Sequence, residues 1–180
     1  MMAGTATLDS PAEAVPIATT LEDLLLYHEI SQFIYREARL QDDHQYDAWE
    51  ALWADDALYW VPANGDDSID PDHEMSIIYD NRSRIALRIR QLHTGRRWAQ
   101  EPRSNLRRTI SNVEVTIAGN GDVHANANGI IYESHPRGDV VWAAQFKYVL
   151  RRIDGGLRMA RKTVLLPNND TALWSMAFLV

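Results

Sequence analysis

Apolar positions follow a helical period through the first half of the chain and a period of two through the second. Leu24, Tyr27, Ser31, Ile34, Tyr35 and Ala38 fall on one helical stripe, which Leu26, Ile30 and Phe33 widen. The spacing predicts a helix covered on more than one side. Thr20-Leu21-Glu22-Asp23 has the form of a capping box with Asp at the fourth place, which sets the start near Leu21. A shorter helix is predicted over 44–54, with Tyr46, Trp49, Leu52 and Trp53 on one side. Asp55-Asp56 breaks that pattern, and ALYWVP (57–62) reads as a short strand stopped by Pro62. After the acidic loop NGDDSIDPDHE, a third helix is predicted over 74–92, with Met75, Ile78, Tyr79, Ile85, Ala86 and Ile89 along one face. Residues 93–104 hold Gly95 and Pro102 and read as a loop.

From Leu106 the pattern alternates. Val113, Val115 and Ile117 form one set. Val123, Ala125, Ala127, Gly129 and Ile131 form a second, and Trp142, Ala144, Phe146, Tyr148 and Leu150 a third. Turn signals separate them at Gly119-Asn120-Gly121-Asp122, Pro136-Arg137-Gly138-Asp139 and Asp154-Gly155-Gly156. A fourth strand is expected over 157–166, and SMAFLV (175–180) reads as a fifth. Three helices followed by an antiparallel meander predict an α+β fold with the helices on one face of the sheet. Strands this long must twist, and a curved sheet around a long helix makes a cone with a hollow. Residues 1–18, rich in Ala, Thr and Pro, read as a flexible tail ahead of a single domain, 19–180.

Composition narrows the chemistry. The 180 residues include no cysteine, which removes disulfides, thiolate metal sites and a cysteine nucleophile, and fits a reducing compartment. No apolar run approaches the roughly 18–20 residues of a membrane span. The N-terminal stretch lacks the basic and apolar segments of a secretory signal. The expectation is a cytoplasmic protein. The formal net charge is −7, but it is sorted. Residues 1–81 hold 18 of the 25 acids and only Arg36 and Arg39 as bases, whereas residues 82–108 hold nine of the 16 arginines and one acid, Glu101. Such sorting predicts that oppositely charged surfaces meet, within one subunit or between subunits.

The six histidines show no H-x-H, H-x-x-x-H or H-E-x-x-H spacing, and the plain reading is surface or locally bonded rings. Acid–base chemistry in the hollow could draw on Tyr27, Tyr35, Asp43, His44 or the strand face of His124, Asn126 and Asn128; that face either lines the hollow or meets solvent. A nucleic-acid partner is disfavoured by the acidic balance, with a pI near 5.3, and by the absence of a groove-reading motif. Arg and Trp are favoured at buried protein contacts. Arg82, Arg84, Arg88, Trp98 and Arg107 are therefore the candidate interface residues, set against the alternative that Trp98 covers its own core and the arginines pair with the acidic half.

Several segments then carry a resemblance. FIYREARLQDDHQYDAWEALWADDALYWVPA, EMSIIYDNRSRIALRIRQLHTGRRWAQEPRSNLRRTISNVEV and the ending MARKTVLLPNNDTALWSMAFLV resemble, in order and over about residues 24 to 180, the small (β) subunit of aromatic-ring-hydroxylating dioxygenases. The resemblance implies a cone of the nuclear-transport-factor (NTF2-like) and ketosteroid-isomerase type, and a mainly architectural role with no catalytic residue and no metal in this chain. It implies a large (α) subunit as partner, commonly as α3β3. That partner carries a Rieske [2Fe-2S] cluster and a mononuclear Fe(II), and NADH electrons arrive through a reductase and sometimes a ferredoxin. The rival expectations are a stand-alone cone-fold isomerase or dehydratase using Asp43, His44 or a tyrosine, and a ligand-binding cone with no oxygenase partner.

Overall fold

Helix α1 (Leu21–Asp42) starts where the sequence places it: Asp23 N donates to Thr20 Oγ1 at 3.2 Å and Thr20 N donates to Asp23 Oδ2 at 3.0 Å, a reciprocal capping box. The structure is a computed structural model, in which residues 20–96, 100–168, 173, 176 and 178–180 are described. The expected tail, 1–18, lies outside them. After α1 come α2 (Tyr46–Glu50), β1 (Trp53–Pro62), β2 (Ser76–Asn81), α3 (Arg82–His93), β3 (Asn105–Ile117), β4 (Val123–His135), β5 (Gly138–Ile153) and β6 (Gly156–Leu165).

The meander from β3 to β6 is antiparallel throughout, in the registers that the turn signals imply. At the β5–β6 turn, Asp154 and Gly155 both take positive φ, 51° and 76°, the requirement of a tight hairpin turn that matches strand twist. The six strands form one sheet in the order β2-β1-β6-β5-β4-β3. The β1–β6 pair is parallel, which the expectation of an antiparallel sheet did not include. Gly129 on β4 marks a close approach: a Cβ there would lie 2.3 Å from Phe146 Cε2.

Three local expectations are corrected. The helix predicted over 74–92 divides into β2 and α3. Tyr79 pairs with Trp60 and Ile78 with Val61 in an antiparallel ladder, and Asn81 then caps α3 by accepting from Arg84 N at 3.1 Å. Met75, placed on a buried helical face by its spacing, is 78% exposed. The helix predicted over 44–54 is confined to Tyr46–Glu50, and β1 begins at Trp53. Asp55 and Asp56 stand inside that strand as its outward positions rather than ending a pattern. Finally, 178–180 belong to no strand; they are buried in the core.

Alternation decides the inner face. Val123, Ala125, Ala127 and Ile131 of β4 and Trp142, Phe146, Tyr148 and Leu150 of β5 face inward onto Ile30, Phe33 and Ile34 of α1. His124, Asn126 and Asn128 take the outward positions between them and meet solvent. Trp49, Trp53 and Tyr59 pack as a triangle in the core with ring centroids 5.3, 5.9 and 5.6 Å apart. On α1 itself, Leu24, Tyr27 and Tyr35 are 54%, 42% and 41% exposed, so the predicted stripe is only partly the buried one.

Candidate functional site

The hollow of the cone contains charge. Glu37, on the buried stripe of α1, accepts from Trp49 Nε1 at 2.6 Å, from Lys162 Nζ at 2.9 Å and from Tyr148 Oη at 3.4 Å. Lys162 and Glu37 side chains are 0% and 1% exposed. Lys162 Nζ also lies 4.8 Å from the Phe146 ring centroid and 5.6 Å from that of Tyr148, within cation–π range. Burial lowers the Lys162 pKa against the opposing pull of Glu37, and burial together with the Glu37 carboxylate raises that of Tyr148. Burial likewise pushes Tyr59 up.

A second buried pair closes the other side of α1. Arg108 Nη1 donates to Asp42 Oδ1, Arg108 N donates to Asp42 Oδ2 at 2.8 Å, and Arg108 Nη2 donates to Leu179 O. The Arg108 guanidinium stands 5.5 Å from the Phe178 ring centroid. Neither pair is among the residues that sequence reasoning selected. Glu37 was readable, because it continues the spacing of Ile30, Phe33 and Ile34. Lys162 was not, because its partner lies 125 residues away.

Of the selected arginines, Arg84 and Arg107 are exposed, whereas Arg82 and Arg88 are half-buried. Arg82 Nη1 donates to Glu50 Oε1 at 2.7 Å, and Arg88 reaches Asp80 Oδ2 through Nε at 2.7 Å and Nη2 at 2.6 Å. Arg84 donates to Tyr79 O at 3.2 Å and is exposed. Arg107 lies 3.6 Å from Asp43 with its side chain 76% exposed. Trp98 lies outside the described residues. The acidic half thus supplies partners to Arg82, Arg88, Arg107 and Arg108 within one chain. Arg107, Arg39, Asp43 and Tyr35 line a cleft of about 410 Å³ between α1 and β3, and Asp42 and Arg108 of the buried pair form part of its wall.

The acid–base candidates do not form a dyad. His44 is held locally: Nε2 donates to Ser104 O at 2.9 Å, which leaves Nδ1 to accept from Tyr46 Oη at 2.9 Å. Asp43 faces Arg107 on the outside, and Tyr27 and Tyr35 are on the exposed side of α1. Among the described residues no three His, Cys, Asp or Glu side chains gather as metal ligands. None of the helices there is long and apolar enough to cross a membrane.

These features define a class: a cone of α1 and a curved sheet whose buried charged groups pair with one another, Glu37 with Lys162 and Asp42 with Arg108. The profile of the ring hydroxylating beta subunit family matches residues 36–171, and the chain belongs to that family. It is 26% identical to the biphenyl 2,3-dioxygenase subunit beta of Rhodococcus jostii, over 94% of this chain and 97% of the relative. It is 34% identical to the 3-phenylpropionate/cinnamic acid dioxygenase subunit beta of Photorhabdus laumondii, over 72% of this chain and 73% of the relative. The crystal structure of the benzoate 1,2-dioxygenase beta subunit of Burkholderia mallei shares the fold, with a TM-score of 0.66 at 24% identity, over 91% of this chain and 99% of that one.

Proposed function

We propose that this chain is the architectural subunit of an aromatic-ring-hydroxylating dioxygenase, and that its outer arginines hold it against neighbouring subunits. The observation that carries the reading is the state of the interior. Glu37, Lys162, Asp42 and Arg108 are all engaged with partners inside the chain. Arg84 and Arg107 are exposed, with donors open to a further partner. The relatives' names, subunits of dioxygenases acting on biphenyl and on phenylpropionate or cinnamic acid, support an aromatic substrate class for the assembly.

The donor set of these residues does not fit a Rieske cluster, which requires two cysteines and two histidines, since the chain has no cysteine. The reading therefore assigns both the cluster and the mononuclear iron to a large subunit. The assembly is α3β3, supplied with NADH electrons through a reductase or ferredoxin, in the cytoplasm. Arg82, Arg84, Arg88, Trp98 and Arg107 are its contact residues on this side.

Co-expression with the large subunit tests it. The expected result is a red, iron-containing complex of hexameric native mass, with no iron and no turnover in this chain alone. A defined iron site or substrate conversion in the isolated chain overturns the reading. Within the complex, Arg84→Glu with Arg107→Glu should lower the native mass on dilution to nanomolar concentration; an unchanged mass removes the arginines from the interface.

A further inference from the structure

Helix α1 and strand β3 enclose the cleft of about 410 Å³, and its lining follows from two spacings. Tyr35, Ala38, Arg39 and Asp42 stand at i, i+3, i+4 and i+7 and so share one face of α1, and Asp43 follows as its C-cap. Opposite is β3, an edge strand of the sheet, with Arg107, Arg108 and Ile110. Three guanidinium groups thus meet two carboxylates. Asp42 is spent on Arg108, whose N and Nη1 both donate to it. Asp43 reaches Arg107 only at 3.6 Å, too far for a hydrogen bond. Arg107 Nη1 donates to Leu106 O at 2.7 Å, and its other donors have no hydrogen-bond acceptor among the described residues. The exposed Arg39 side chain makes no hydrogen bond or ion pair with any of them. In the wall, Arg108 Nε also lacks an acceptor there, although the side chain is only 1% exposed. The cleft therefore carries one positive charge in excess, with unspent donors on both of its sides.

We propose that the cleft between α1 and β3 is a binding site for a carboxylate. Arg39 of the helix and Arg107 of the strand hold the anion from the two sides, and its apolar body lies against Tyr35, Ala38 and Ile110. The volume falls within the roughly 300–1,000 Å³ of small-molecule sites. A monoanion fits because it brings the charged groups of the cleft to neutrality, and a planar guanidinium matches its two oxygens. A dianionic phosphate would instead meet Asp42 and Asp43 with charge left over. The carboxylate comes either on a small aromatic acid free in solution or on an acidic side chain of a neighbouring subunit. Only the second source rests on the subunit reading. The first test uses the isolated chain, so its failure leaves the co-expression experiment untouched.

Benzoate is the probe and benzamide its neutral control, each titrated into the full chain at low salt and followed by amide NMR shifts. Benzoate should give saturable shifts confined to residues 35–43 and 107–110, and benzamide should bind more weakly by about threefold or more. Arg39→Gln and Arg107→Gln should each weaken benzoate by about threefold, the range of one exposed charge pair. Asp43→Asn, which releases Arg107, should tighten it by about the same factor. Arg84→Gln, away from the cleft, should leave it unchanged. Benzamide binding as well as benzoate, shifts centred elsewhere, or Arg39→Gln binding benzoate like the wild type overturns the proposal. The comparison of the two probes on the wild type needs no variant to fold. Equilibrium dialysis of saturating benzoate against complexes with the large subunit, built from wild-type or Arg39→Gln chains, then separates the two sources. An excess of one benzoate per wild-type chain means that the cleft takes a free acid. No difference, with binding established in the isolated chain, means that a neighbouring subunit's carboxylate already fills it.

Discussion

Arg107 and Arg108 are consecutive on β3, and each faces one of two consecutive acids at the end of α1. Arg108 meets Asp42 with side chains 1% and 8% exposed, whereas Arg107 meets Asp43 at 3.6 Å with side chains 76% and 38% exposed. A strand sends neighbouring side chains to opposite faces, so one Arg-Arg pair yields a contact inside the cone and another outside it. Water makes the two unlike. Inside, both charges have lost hydration, and removing one strands the other; outside, solvent replaces a lost partner at little cost. The inner pair fixes how α1 docks on the sheet. The outer pair is free to exchange partners, which is what a surface needs if it is to meet another subunit.

The largest expected effect breaks the inner side. Arg108→Leu removes the partner of Asp42, the donor to Leu179 O and the cation over Phe178 together. It should cost about 5 kcal/mol, the upper range for breaking a buried pair, read as a drop in the urea midpoint. A loss below about 1 kcal/mol would erase the distinction between the two faces. The second buried pair sharpens it. Lys162→Met should cost about 3 kcal/mol, because it leaves Glu37 buried without its cation and with only Trp49 and Tyr148 as donors. Adding Glu37→Gln removes the unpartnered carboxyl while still accepting from Trp49 Nε1, so the double variant should recover most of the loss. A double variant as unstable as the sum of the singles contradicts the account.

The same contrast explains what could be read in advance. Thr20 and Asp23 announced the start of α1, and Asp154-Gly155 announced a hairpin, because both signals are complete within four residues. Ile77-Ile78-Tyr79 misled, since a short run of adjacent apolar residues satisfies a helical stripe and a strand equally; the ladder to Val61 and Trp60 settles it, and that ladder is tertiary. Alternation with Leu106 turns Arg108 inward, but nothing local says that it meets a carboxylate there, because Asp42 lies 66 residues earlier. The outer arginines were legible as a charged surface from composition alone. The inner pairs were not, because burial of a charge is decided by a partner brought in by the fold.

On the outside the expected effects shrink. Arg107→Ala should leave the urea midpoint of the isolated chain within about 0.5 kcal/mol of wild type, because its carboxylate partner remains hydrated. Combined with a weakened assembly, that result separates a contact residue from a folding residue. A stability loss comparable to that of Arg108→Leu would place Arg107 with the inner pair.

The smallest effect is a pH dependence. Arg152 donates from Nη1 to Glu29 Oε1 at 2.9 Å and from Nη2 to Oε2, with side chains 53% and 44% exposed. The hydrogen bond from Arg152 holds the Glu29 carboxyl below its ordinary value of 4.5, with partial burial opposing. A carboxyl whose folded pKa is depressed binds protons more weakly when folded than when unfolded. Its contribution is therefore present above about pH 4.5 and is lost as the pH falls through the lower, folded value. Solvent screening limits it to a few tenths of a kcal/mol. Arg152→Ala should return Glu29 to an ordinary titration and make stability fall less steeply between roughly pH 5 and 3. In about 1 M salt the wild type should lose the same increment, while the buried Lys162–Glu37 pair, out of reach of counterions, keeps its contribution. Urea midpoints of wild type, Arg152→Ala and Lys162→Met, each at low and high salt, measure this directly. If salt weakened the buried pair as much as the exposed one, the cone's interior would have to be open to solvent, and the division between its two faces would fail.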